Sequence, residues 1–189
     1  MLAAAYTPRA NYRPGEITIT PWSYQSLGVA LFAAGTPLPS GAAAWPAAGA
    51  VIFVPFGVPE PVTITKLFYG IGAAAGNIDM GVYDASGNLL VSAGTTAASG
   101  STTLQVVDVT DTTIARGQYY LALVADTVTT LTIARAAPAA GLAQSLGLLE
   151  QDSVTLPLST GASPATFAKY TRAYVPVIGC QGYRALGPV

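Results

Sequence analysis

The chain has 189 residues, enough for one full domain or for one domain and an arm. Charged residues make up 9%, against about 25% in ordinary soluble domains, and the net charge is −1. The charge balance removes any electrostatic case for nucleic acid. The complete lack of histidine removes Ser-His-Asp and Cys-His catalysis and the commonest zinc sites.

Cys180 is the single cysteine, so no disulfide framework exists within the chain. Its simplest role is that of a small buried hydrophobe, with an intermolecular bridge as the alternative. Hydrophobic residues reach 51%, much of it Ala, and Thr, Ser and Gly dominate the remainder. A lone monomer with so little charge is poorly protected against self-association, so a surface covered by copies of itself or by a partner is expected.

Residues 1–47 read as an extended, Pro-rich N-terminal arm. Pro8, Pro14, Pro21, Pro37, Pro39 and Pro46 recur through it, and Arg9, Arg13 and Glu16 are its charges. It is too apolar for ordinary disorder and too rich in proline for a helix. Ile17 to Thr20 has the makings of one short strand. The arm either wraps its own sandwich or reaches a neighbouring subunit or larger body. In the second case Tyr6, Arg9, Tyr12, Arg13 and Trp22 are the candidate attachment residues. The start, MLAAAYTPRANYRPGE, lacks a basic stretch followed by a long apolar one, so no secretory leader is expected.

Residues 48–189 read as one antiparallel β-sandwich. Gly41 to Val58 is uncharged and near the length of a membrane span, but Pro46 and Pro55 break the helix that a bilayer would demand. Ala50 to Phe56 is instead a strand buried on both faces, ending near an edge or bulge at Pro55. Val62 to Ile71 is the next strand, with Val62, Ile64 and Phe68 on one face and Lys66 as the exception.

Ile78, Met80 and Val82 alternate, Asp84-Ala85-Ser86-Gly87-Asn88 supplies turn chemistry, and Leu89 and Val91 resume, which predicts a hairpin. Thr95 to Thr103 reads as a loop, Leu104 and Val106 as the beginning of a strand, and Asp108 to Gly117 as a turn-rich connector. Gln118 to Asp126 is the strongest strand signal. In it Tyr119, Leu121 and Leu123 face one way and Tyr120, Ala122 and Val124 the other. Val128 to Ala134 alternates with Leu131 and Ile133 inward.

Gly141 to Glu150 is the one helical candidate, from the spacing of Leu142, Leu146 and Leu149. Leu156 to Lys169 reads as loop and Ala173 to Gly179 as the last strand. Short strands with turns between them and little helix give an all-β, jelly-roll-like sandwich.

Candidate chemistry is thin. Lys66 and Lys169 are the only lysines, and no Ser-x-x-Lys spacing occurs. Paired carboxylates suited to a glycosidase are Asp79 with Asp84, Asp108 with Asp111, and Glu150 with Asp152. Each is read more simply as a turn former or a solvated edge. Asp84 to Asn88 resembles the opening of a calcium loop, but no acidic residue closes it between Leu89 and Thr103. Gly70 to Gly76 lacks the ending of a phosphate loop. Neither an enzyme nor a cofactor is expected. Trp22, Trp45, Tyr69, Tyr83, Tyr119, Tyr120, Tyr170 and Tyr174 are available for a glycan platform, with core packing as the alternative.

The segment VTITKLFYGIGAAAGNIDMGVYDASGNLLVSAG, followed by ARGQYYLALVAD, resembles β-sandwich virion proteins of tailed bacteriophages, such as tail fibres, head fibres and capsid decoration proteins. The shared pattern spans about Val62 to Ala134, and LLEQDSVTLPLSTGASPATF is similar to the end of these domains. The resemblance implies a homotrimer or other closed oligomer on the virion surface, made in the cytoplasm of a bacterial host. Its partners would be copies of itself and the major capsid protein or another virion protein. Related sandwiches also bind sugars, so recognition of a host surface glycan stays open as the alternative. No catalytic residue, nucleic acid or membrane is implied.

Overall fold

A computed structural model describes residues 17–19, 41–138, 140–162 and 168–184. The strands in chain order are β1 (Ile17–Ile19), β2 (Ala42–Ala44), β3 (Val51–Val58), β4 (Val62–Ala73), β5 (Asn77–Asp84), β6 (Leu89–Ser92) and β7 (Thr96–Ala97). They continue with β8 (Ser101–Ile114), β9 (Gly117–Ala125), β10 (Thr132–Ala136), β11 (Leu149–Gln151), β12 (Ala168–Lys169), β13 (Val175–Pro176) and β14 (Ile178–Arg184). Two short helices, α1 (Ala140–Ser145) and α2 (Leu158–Gly161), complete the described residues.

The chain folds as the predicted antiparallel sandwich. In one sheet β10 joins β2 to β4, and β4 joins β10 to β8. In the other, the order β3-β9-β5-β6 holds, with β11 and β12 added beside β3. The chain alternates between the sheets as it winds, and the orders β2-β10-β4-β8 and β3-β9-β5-β6 are those of a jelly roll. Because β8 occupies one edge of β4 along its length, β14 and β10 must share the other edge. β1 pairs with β14, so Ile17–Ile19 extends this first sheet. The arm's last residues also belong to the sandwich. β2 is a strand of the first sheet, and Trp45 is buried with its indole N–H donating to the Ala50 carbonyl at 3.0 Å.

The core lies between the sheets. Ile52, Val54 and Phe56 of β3, Ile78, Met80 and Val82 of β5, and Leu121 and Leu123 of β9 meet Ile64, Leu67, Tyr69 and Ile71 of β4. Period-two alternation carries this. In β9 both faces are used as predicted: Tyr119, Leu121 and Leu123 join the core, while Ala122 and Val124 join a second cluster outside the sheet. Pro55 sits where β3 has β9 on one side but lies beyond β11, which pairs only with Val51 to Phe53. Its missing N–H therefore leaves no ladder bond unmade.

Four local expectations are corrected. On β4 the inward set is Val62, Ile64, Leu67, Tyr69 and Ile71, and Phe68 faces outward beside Lys66. The register against β8 shifts between Ile64 and Lys66, and that against β14 shifts between Gln181 and Gly182. An irregularity there changes the phase of the alternation, as a bulge does.

Residues 108–114 are strand rather than connector, because β8 is an edge strand whose Thr and Asp residues face solvent. The helix stops at Ser145 instead of reaching residue 150. Gly147, at φ +82°, ends it with a left-handed turn, and Leu149–Gln151 pairs with β3. The last strand runs to Arg184, five residues beyond a stop at 179, and pairs with β4 as far as Val62.

Candidate functional site

The sequence-derived carboxylate pairs do not form an active-site cleft. Asp84 is tied into its own hairpin: its carboxylate accepts the Asn88 N–H at 2.8 Å and Nδ2 at 2.7 Å. Those bonds hold its carboxyl below the usual range. Asp108 and Asp111 lie exposed along β8. Glu150 and Asp152 are joined through one cation. Arg172 donates from Nε to Glu150 at 2.6 Å and from Nη2 to Asp152 at 2.6 Å. Glu150 is buried and also accepts from the Thr171 N–H and Oγ1. This cluster clamps the 170–172 segment to β11.

Asp79 departs furthest from a solvated edge. It points to the outside of its sheet, yet it is completely buried, because residues 154–162 fold over that face. Val154 and Leu158 pack there on Val51, Phe53, Tyr83, Ala122 and Val124. Asp79 Oδ2 accepts the Leu158 N–H at 2.7 Å, and its Oδ1 has no hydrogen-bond partner among the described residues. Burial pushes its carboxyl above the ordinary range, against the pull of the Leu158 amide. No signal in the NIDMG stretch announces this cover.

Most of the aromatic platform residues are core. Trp45, Tyr69, Tyr83, Tyr119, Tyr170 and Tyr174 are buried and Tyr120 is half-buried. Trp45 meets Tyr174 edge-on at 5.6 Å, and Arg135 lies 5.1 Å above the Tyr174 ring. Cys180 is fully buried, and burial pushes its thiol up to about 12. Such a thiol is protonated at neutral pH and is a poor nucleophile. The attachment residues Tyr6, Arg9, Tyr12, Arg13 and Trp22 lie outside the described residues, as does most of the arm.

Hollows on the surface are open. One, of about 520 Å³, is lined by Gly49, Thr95, Asp126, Ser153 and Leu156. Its charge, Asp126, already accepts the Asn77 N–H at 2.8 Å and Nδ2 at 2.7 Å. Among the described residues no three His, Cys, Asp or Glu side chains gather as a metal site, and no helix is long and apolar enough to cross a membrane.

What stands out instead is a surface. The two outer faces of the sandwich differ. One is roofed by residues 154–162, as described. The other, the outer face of β14, β4 and β8, leaves Leu104 at 56%, Val106 at 54% and Tyr183 at 42% exposure. The register places Val106 beside Phe68, and Phe68 beside Gly179. A Cβ on Gly179 would come within 2.2 Å of the Phe68 ring, so that ring lies directly on bare backbone. Tyr183 escaped the sequence reading because the last strand was stopped at Gly179. No family model matches the chain, and no curated protein or solved structure matches it.

Proposed function

We propose that the chain is a structural subunit of a tailed-bacteriophage particle, an oligomeric capsid decoration or fibre protein carried on the virion surface. The observation that carries this reading is an outer face that exposes Leu104, Val106 and Tyr183, with Phe68 half-buried beside Val106, on a chain with 9% charged residues. Apolar side chains left exposed on one sheet face mark it as a place where a partner can pack. The strand-and-turn resemblance between Val62 and Ala134 supports the same reading. So does the engagement of Asp79, Asp84, Asp126, Glu150 and Asp152 in structural hydrogen bonds rather than in a cleft.

In this proposal the subunits meet as a closed oligomer, and residues 1–16 grip the major capsid protein or another virion component. Glycan recognition has less support, because six of its candidate aromatics are buried. A truncation that tests attachment should remove residues 1–16 and keep β1, β2 and Trp45, which build the first sheet and the core. The shortened protein is expected to fold and to lose binding to particles that lack the native subunit. Binding equal to that of the full chain would contradict the proposed role of the arm.

A further inference from the structure

We infer that the outer face of β14, β4 and β8 is where the chain meets a second copy of itself, with Lys66 of one copy set against Asp108 of the other. This rests on the self-assembly in the proposed function and names its surface. Three features converge. First, the face is apolar at Leu104, Val106, Phe68 and Tyr183, whereas the opposite face is already roofed by its own chain. Second, β8 pairs with β4 alone among the described strands, so its other edge presents unpaired backbone groups that a solitary protein would have to protect.

The third feature chooses the partner. Lys66 and Asp108 occupy directly opposed register positions on this face, next to the Phe68–Val106 pair. Their charged atoms are 3.5 Å apart, with side chains 44% and 84% exposed. An exposed pair of this kind adds at most about 1 kcal/mol to a lone fold. Within an interface between identical faces it has another use. Opposite charges side by side are self-complementary, since a second copy can turn to lay its Asp108 on Lys66 and its Lys66 on Asp108. A partner of uniform charge would match one of the two and oppose the other.

The test is a charge exchange between copies, read by light scattering after size-exclusion chromatography of the full chain. Wild type is expected to run as an assembly. Lys66→Glu alone and Asp108→Lys alone are each expected to fall to the single-chain mass of 19.1 kDa, because each sets like charges against each other across the interface. Mixing the two variants restores both opposite-charge contacts between chains, and the assembly should reform with both variants in it. Contacts within one chain cannot be mended by mixing, so recovery reports the interface itself. Val106→Glu, at an exposed position, should separate the copies whatever the charges do.

Circular dichroism of each variant establishes that separated chains are folded. Single variants that assemble like wild type would place the interface elsewhere and overturn this inference while leaving the self-assembling subunit intact. Separated variants that do not recover on mixing would overturn the Lys66–Asp108 contact. A wild type that stays at the single-chain mass at its highest soluble concentration would remove self-assembly altogether.

Discussion

Asp79 shows how far a single residue can depart from its local sequence. Between Ile78 and Met80, alternation correctly sends it to the other face of β5. Alternation cannot tell that residues 154–162, about 80 positions later in the chain, close over that face. Its carboxyl is raised by burial, so the folded state holds its proton more tightly than the unfolded chain does. The sign follows directly. Its contribution to stability is greatest below the ordinary value of 3.8 and declines as pH rises from there to the folded-state value. Asp79→Asn should abolish that decline, which thermal unfolding across an acid-to-neutral pH series would reveal; identical pH dependence in both proteins would contradict it. Asp79→Ala removes the acceptor for the Leu158 N–H and should cost roughly 1–3 kcal/mol, the cost of leaving a buried donor unsatisfied. Limited proteolysis should then cut near residues 154–162 more readily.

Gly179 belongs to the same scale. An alanine there must push the Phe68 ring aside, since its Cβ would sit 2.2 Å from it. Gly179→Ala is expected to lower stability by about 1–3 kcal/mol, the usual cost of overpacking, in denaturant titrations. An unchanged midpoint would mean that Phe68 moves freely, and the flat apolar face would lose its centre.

Among the elements, those with a strong period-two pattern and a chemically explicit turn were legible. The β5–β6 hairpin is the best case: Asp84 and Asn88 close it as their side chains dictate, and Gly87 takes φ +90°. β3 and β9 were equally plain because both run through the middle of a sheet. β8 was legible only around Leu104 and Val106, because the rest of this edge strand is rich in Thr, Ser and Asp, the composition of a loop, and owes its strand form to its pairing with β4. The phase error on β4 has a different origin. The irregularity near Thr65 depends on two neighbouring strands, neither of which can be placed from the β4 sequence alone.

The stripe at Leu142, Leu146 and Leu149 overstates the helix because Gly147, at φ +82°, stops it with a left-handed turn. The 170–172 segment was read without its clamp for lack of any signal that Arg172 meets Glu150. Arg172→Met should leave Glu150 buried without its cation and cost roughly 2–4 kcal/mol, given that Arg172 keeps some solvent exposure. Adding Glu150→Gln should recover part of that loss, a recovery that a double-mutant cycle measures.

At the scale of the whole molecule, the composition already pointed to a surface in need of company. A jelly roll made with so few charges can hide its apolar residues only as far as its own chain reaches. Among the described residues, the chain covers one outer face and leaves Leu104, Val106 and Tyr183 exposed on the other. The division between arm and sandwich was less legible, because Ala42 to Ala44 has no strand-like side chains and owes its place to β10. Trp45 follows it into the core. The short pieces β1 and β2 thus tie the N-terminal region to the first sheet, on whose outer face Leu104, Val106 and Tyr183 stand exposed.

The central claim, a subunit on the outside of a phage particle, is met most directly by immunogold electron microscopy. The particles should be purified from the phage that encodes the chain and labelled with an antibody raised against residues 41–189. The account predicts gold on the particle surface, over the head for a decoration subunit or on the fibres for a fibre component. Particles without label, from a lysate in which the antibody detects the protein, would contradict it.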